Sequence, residues 1–271
     1  MISYRWPNAS TRGGNPILHL QTETITGGFT YILDGWSGRL CNNLIQVTDG
    51  IYLAKRDSGI FQQKLKHSII KQFAVKFNKD PLPKKLLEKK LDICPYNESR
   101  SILKTYVLPN CRFPELTPTD TLVIHMRGGD ILRKSPPPHA GYVQPPLSFY
   151  KRVIEDCPVK DIIILTEEVP NPCAKIIQSI YPNCIIQTST VINDVSTFLK
   201  ATHVCFNSAG TFGRILASMS PNVKMAYTAV YLDTNLNWPT DINVKSYLFS
   251  DYIQPGQWTA SDEQIKQMLD S

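Results

Sequence analysis

The stretch Leu122-Val123-Ile124-His125-Met126-Arg127-Gly128-Gly129-Asp130 decides the fold. Its apolar, β-branched start reads as a buried strand, and the paired glycines end that strand abruptly. The same sequence of strand, turn and helix recurs through the second half. Strands are expected at 121–126, 161–166, 184–188, 203–207 and 223–228. Helices are expected between them at 147–156, 172–180, 194–201 and 212–219. Short β-rich runs alternating with helices imply right-handed βαβ units and a parallel sheet. Ser261 has the character of an N-cap, so 261–269 closes the chain as a helix.

Working outward, residues 29–33 form another strand signal, ending in Asp34-Gly35-Trp36-Ser37-Gly38. Apolar residues at helical spacing predict a helix over 42–55, followed by a strand at 69–77 and a short helix at 81–91. Pro109, Pro114 and Pro118 mark a linker. The architecture expected is α/β, with two Rossmann-like domains, 1–115 and 116–271, whose parallel sheets face a central cleft. The first would lie on the acceptor side and the second would bind the donor.

At 271 residues, 42% hydrophobic and 19% charged, the chain has enough apolar material for cores of this size. No window holds the roughly 18 uninterrupted apolar residues of a membrane span. The N-terminus, MISYRWPNASTRGG, lacks the apolar core of a secretory signal, so a soluble, cytoplasmic chain is expected. The net charge of +6 suits anionic substrates. Lys84, Lys85, Lys89 and Lys90 read as a solvated helix face, and no aromatic interleaving or zinc spacing points to nucleic acid. Seven cysteines without a C-x-x-C pair suggest a reducing compartment, although a Cys94–Cys111 disulfide stays open. The triplets beginning at Asn8 and Asn97 match glycosylation sequons that arise often by chance.

Three strand ends carry the chemistry: Gly38-Arg39-Leu40-Cys41-Asn42-Asn43-Leu44-Ile45-Gln46, His125–Asp130, and Asn207-Ser208-Ala209-Gly210-Thr211-Phe212-Gly213. Open α/β sheets bind ligands at such carboxyl ends. Gly35 and Gly38 let the backbone approach a ligand, while Arg39 adds a cation and Asn42 a set of donors and acceptors. Simple capping of strand and helix is the plainer alternative. His125 and Arg127 alternate with Met126 and share a face. A guanidinium on a glycine turn suits bidentate grip of a diphosphate, against the alternative of a structural Arg127–Asp130 pair. Ser208, Gly210, Thr211 and Phe212 open a helix whose first-turn amides favour an anion. There is no Asp-x-Asp and no His/Cys ligand set, so no metal or other cofactor is expected, and Arg39, Arg127 and backbone amides would carry the leaving charge.

These residues resemble the fucosyltransferase superfamily, which includes α1,2-, α1,6- and protein O-fucosyltransferases. The first stretch is similar to G-R-F-G-N-Q, the second to H-x-R-R-G-D. Gln144–Tyr150 resembles the P-x-x-Y-Y opening of the next helix, and Ile164–Glu168 stands where F-S-D-D often occurs. Phe206-Asn207-Ser208 with Thr211-Phe212 resembles N-S-T-F stretched by two residues. The likeness spans 29–219. It implies a GT-B fold and metal-independent, inverting transfer from a nucleotide-diphosphate sugar to an oligosaccharide or glycoprotein glycan. It also implies that Arg127 contacts the donor's β-phosphate, with Ser208, Thr211 and Phe212 lining the diphosphate and base pocket. Asn42 and Arg39 would face the donor. Gly128 replaces the family's second arginine, Cys41 a glycine and Asn43 a glutamine. The donor is therefore either GDP-fucose or a UDP-sugar such as UDP-xylose. Divergent members of this kind also occur in large DNA viruses of algae.

One-step inversion calls for a general base. Asp34 is the first candidate, with a turn-capping role as its alternative, and Asp130 is the second, weakened by Arg127. Trp36 and Tyr142 are candidates to stack on acceptor sugars, and residues 134–142 form an acceptor-side loop. An inactive nucleotide-sugar or glycan-binding module is the rival reading. A Rossmann oxidoreductase or methyltransferase is disfavoured because G-x-G-x-x-G is absent.

Overall fold

The computed structural model describes residues 20–25, 28–36, 38–77, 94–135, 138, 142–231 and 241–271. The chain divides into two units between Phe113 and Pro114. In the first, β1 (Leu20–Ile25) and β2 (Gly28–Leu33) pair antiparallel. Helix α1 (Leu40–Arg56) leads to β3 (Ile60–Gln63), parallel to β2, and β4 (Phe73–Lys76) pairs antiparallel with β3. The four strands lie in the order β1-β2-β3-β4.

This mixed sheet corrects the expectation of a parallel, Rossmann-like first domain. Among the described residues of this unit, only β2–α1–β3 is a βαβ unit. Too few residues separate β1 from β2 for a crossover, and β3 reaches β4 without a helix, so both connections yield antiparallel pairs. The core forms where α1 lays Leu44, Val47 and Ile51, all fully buried, against Leu33 and Phe61. Each such side chain contributes about 1.5–3 kcal/mol. Lys55 and Arg56 complement the carbonyl end of α1, and Arg56 grips Asp57 at 2.6 and 2.8 Å. The Tyr31 hydroxyl donates to the same carboxylate. Helix α2 (Tyr96–Ile102) continues through a π-helical turn, Leu103–Val107, and a 3-10 turn, Leu108–Asn110. The expected helix at 81–91, its lysines and Asn8 lie outside the described residues.

The second unit begins with β5 (Thr119–His125) and a 3-10 turn, Gly129–Leu132. Then follow α3 (Leu147–Asp156), β6 (Ile162–Leu165), α4 (Pro172–Ile180), β7 (Cys184–Gln187), α5 (Val191–Lys200) and β8 (Ala201–Asn207). The unit ends with α6 (Thr211–Met219), β9 (Met225–Val230), β10 (Asn243–Leu248) and α7 (Asp262–Asp270). All strand pairings are parallel, in the order β10-β9-β8-β5-β6-β7.

Read from β7, that order runs third, second, first, fourth, fifth and sixth strand of the unit, which is the order of a Rossmann-like sheet. The chain builds outward from β5 through β6 to β7, then returns to place β8 on the other side of β5. The topological switch point therefore lies between β5 and β8. Leu122, Val123 and Ile124 of β5 and Val204, Cys205 and Phe206 of β8 are fully buried. Near the C-terminus, the Trp258 indole donates to the Ile131 carbonyl at 2.8 Å and so fixes the turn after β5. All seven cysteines are buried and free, so Cys94 and Cys111 are not bridged.

Candidate functional site

Ile124 of β5 stands beside Cys205 of β8 in the same strand direction. The segments leaving these two strands are the second and third motifs, and they emerge side by side at the switch point. Met126 is fully buried and anchors the start of the first segment. Next comes Arg127, whose carbonyl accepts from the Asn171 side chain at 3.2 Å. Its guanidinium donates from Nε (3.2 Å) and Nη2 (3.0 and 2.7 Å) to the Asp130 carboxylate. The Tyr142 ring lies across its face at 4.1 Å, and Nη1 donates to the Tyr142 hydroxyl. Stacking and pairing together fix the plane of the guanidinium.

The glycine pair is needed because the loop after β6 presses on it. Gly129 takes φ +58, and the Glu167 carboxylate lies 2.1 Å from where its Cβ would stand. Gly129 N–H donates to the Val169 carbonyl at 3.0 Å, and that oxygen would stand 2.0 Å from a Cβ on Gly128. A second arginine in place of Gly128 has no room here.

His125 and Phe212 stack at 4.2 Å between ring centroids and 18° between planes, linking the end of β5 to the first turn of α6. Burial, followed by the Arg127 charge, pushes the His125 imidazole down to about 3. It is therefore a neutral ring partner. The N-cap of α6 is Gly210, which has no side chain to accept from the first turn. Asn207 shapes the turn before it, accepting from Ala209 N–H at 3.0 Å and donating to the Val143 carbonyl. Ser208, Gly210, Thr211 and Phe212 are all partly exposed here.

This arrangement brings together His125, Arg127, Asp130, Tyr142, Gly210 and Phe212. Tyr142 touches both the Arg127 guanidinium and the N-cap of α6, so a cation and a helix N-terminus lie at the same strand ends, which is the chemistry of an anion site. Three further residues complete it. Asn171 caps α4 by accepting from Cys173 N–H at 3.0 Å and also donates to Gln144 at 3.0 Å. Asn171-Pro172 is legible as a helix start, but its reach to Arg127 has no local signal, and neither does the position of Glu167.

The first motif belongs to the other unit. Asp34 is exposed at the carboxyl end of β2. Gly38 turns the chain at φ +75, and Asn42 Nδ2 lies 2.3 Å from where its Cβ would stand. Arg39 is the exposed N-cap of α1. Trp36 donates to the Lys66 carbonyl at 3.2 Å and sets its ring edge-on to His67 at 4.9 Å. His67 Nδ1 accepts from Ile69 and Ile70 N–H at 3.0 Å each, which leaves Nε2 to donate to Asn43 Oδ1 at 3.3 Å. Asn43 donates on to Gln46 at 3.3 Å. Burial and Arg112 hold His67 below the usual imidazole range. Cys41, Asn43 and Gln46 are thus interior residues, while Arg39 and Asn42 stay accessible. Trp36 and Tyr142, both read as acceptor-side rings, lie in separate units and engage His67 and Arg127.

Among the described residues, no three His, Cys, Asp or Glu side chains form a group suited to a metal, and no helix is long and apolar enough to cross a membrane. Comparison with protein-family models, curated proteins and solved structures finds no match.

Proposed function

We propose that the second unit holds the diphosphate of a nucleotide sugar at the β5/β8 switch point and that the chain is a metal-independent, inverting glycosyltransferase. Its proposed class is a divergent member of the fucosyltransferase superfamily, with the Rossmann-like sheet of the second unit as the donor half. One observation carries this reading. Two of the motifs that resemble that superfamily leave the two strands flanking the switch point, and they supply a guanidinium and a helix N-terminus to the same strand ends.

In the proposed reaction an acceptor hydroxyl oxygen attacks the anomeric carbon. The bond from that carbon to the phosphate oxygen breaks, and the nucleotide diphosphate leaves with the electron pair. Arg127 and the first-turn amides of α6 stabilise the charge that develops on it. The hydroxyl proton goes to a carboxylate. Of the two carboxylates read from the sequence, Asp130 is paired with Arg127, and Asp34 is kept as the proposed base on the sequence reading alone. The donor is GDP-fucose or a UDP-sugar such as UDP-xylose, and the acceptor is a glycan hydroxyl.

Calorimetry in EDTA with GDP, UDP, GDP-fucose and UDP-xylose tests the reading. Binding by the native chain and its loss in Arg127→Ala are expected. A GDP preference would select fucose transfer, and a UDP preference would change the donor alone. Absence of binding by every nucleotide would end the transferase reading.

A further inference from the structure

Arg127 spends its donors unevenly. Asp130 takes Nε and Nη2, which orients the guanidinium without covering Nη1. Nη1 donates to the Tyr142 hydroxyl, whose oxygen accepts there as a phosphate oxygen would. The same hydroxyl lies 3.4 Å from where a Cβ on Gly210, the N-cap of α6, would stand. It therefore sits between the two groups that would hold an anion.

The backbone on the C-terminal side of Tyr142 is fixed. Val143 is fully buried and its carbonyl accepts from Asn207. Gln144 is buried and accepts from Asn171 at 3.0 Å. Tyr142 itself is only partly buried, at the edge of this pinned segment. Displacement of its side chain would leave the bonds of Val143 and Gln144 in place.

We propose that Tyr142 is a built-in competitor for the anion site: its hydroxyl occupies Arg127 in the free protein, and a diphosphate displaces it. This rests on the reading of Arg127 as the diphosphate anchor. The exchange favours the ligand because a diphosphate brings full negative charge and several acceptor oxygens to the guanidinium, where the neutral hydroxyl offers one. Tyr142 sets the concentration at which ligand enters, so weak anions are turned away while a diphosphate is admitted.

Tyr142→Phe keeps the ring across Arg127 and removes only the competing oxygen. Calorimetry with inorganic pyrophosphate, UDP and GDP compares the native chain, Tyr142→Phe and Arg127→Ala. The expected result is binding roughly tenfold tighter in Tyr142→Phe than in the native chain, and none in Arg127→Ala. Detectable binding in Tyr142→Phe alone would support the proposal equally. Equal or weaker binding in Tyr142→Phe, with binding still lost in Arg127→Ala, overturns the competitor role and leaves the anchor reading standing. Binding that survives Arg127→Ala, or is absent from all three proteins, overturns both. Melting curves of Tyr142→Phe and the native chain within a few degrees confirm that the comparison is between folded proteins.

Discussion

Two buried titratable groups give this chain opposite pH slopes. His125 is held down at about 3 when folded, against an ordinary value of 6.5. Above 6.5 neither state carries its proton. As pH falls below that, the unfolded chain takes up a proton the folded chain refuses, and stability is lost. Between pH of about 7 and about 5, the melting temperature should fall more steeply in the native chain than in His125→Phe, which keeps a ring against Phe212. Asp49, in α1, runs the other way. Burial raises its carboxyl to about 7, offset in part by a hydrogen bond from the Cys94 backbone. The folded state binds the proton more tightly, so stability present below about 4 is lost as pH rises through about 7. Asp49→Asn should melt higher than the native chain at pH about 8 and converge with it in acid; a difference that does not vary with pH would refute the assignment. Gly129→Ala tests the turn that carries Arg127. A left-handed alanine under the Glu167 carboxylate should cost about 1–3 kcal/mol in denaturant unfolding. A melting curve unchanged by this substitution would mean the turn relaxes freely.

At the scale of elements, α4 connects folding to the site through one residue. Asn171 caps the helix, holds the Arg127 carbonyl and ties down Gln144. Asn171→Ala should cost about 2–3 kcal/mol, more than the roughly 1 kcal/mol of an ordinary cap, because Gln144 loses its partner in the interior. Asn171→Asp should recover the cap and not the rest. Helices were the most legible part of the sequence. The ranges expected for α3 and α4 coincide with those observed, since each has a strong apolar stripe bounded by proline or a turn. In α5 the start lies earlier than expected, at Val191 after the Thr190 cap, a signal the apolar spacing did not reveal. Strands were harder. The strand expected at 69–77 is the shorter β4, because Ile69 and Ile70 instead bind the His67 ring. Strands β1, β3 and β10 have no expected counterpart: β1 has polar Gln21 and Glu23, β3 carries two glutamines, and β10 has Asn243, Lys245 and Ser246 on an edge where little apolar surface is buried.

Across the whole molecule, burial governs the cysteines as it governs the histidine. Cys41, Cys94, Cys111 and Cys173 have thiols pushed up to about 12, mainly by burial. A thiol reagent at pH about 8 should modify none of the seven in the folded chain and all seven after denaturation. Prompt reaction of even one would mean local opening at that residue. Parallel βαβ order in the second unit could be read from its alternating pattern, but strand order could not, because nothing local says that β8 returns to the flank of β5. Motif by motif, the sequence pointed to Arg127 and to Thr211. That their segments lie side by side, as the His125–Phe212 stack shows, follows from topology alone. That dependence has a temporal side. Arg127 is synthesised 84 residues ahead of Thr211, which opens α6. Until β8 has docked beside β5, a growing chain has no crevice at which to hold an anion. The pairing closes over a long stretch of sequence and is a parallel one, so it is intrinsically slow to form. Ligand binding would therefore report completed assembly of this sheet, and partly folded chains would remain silent.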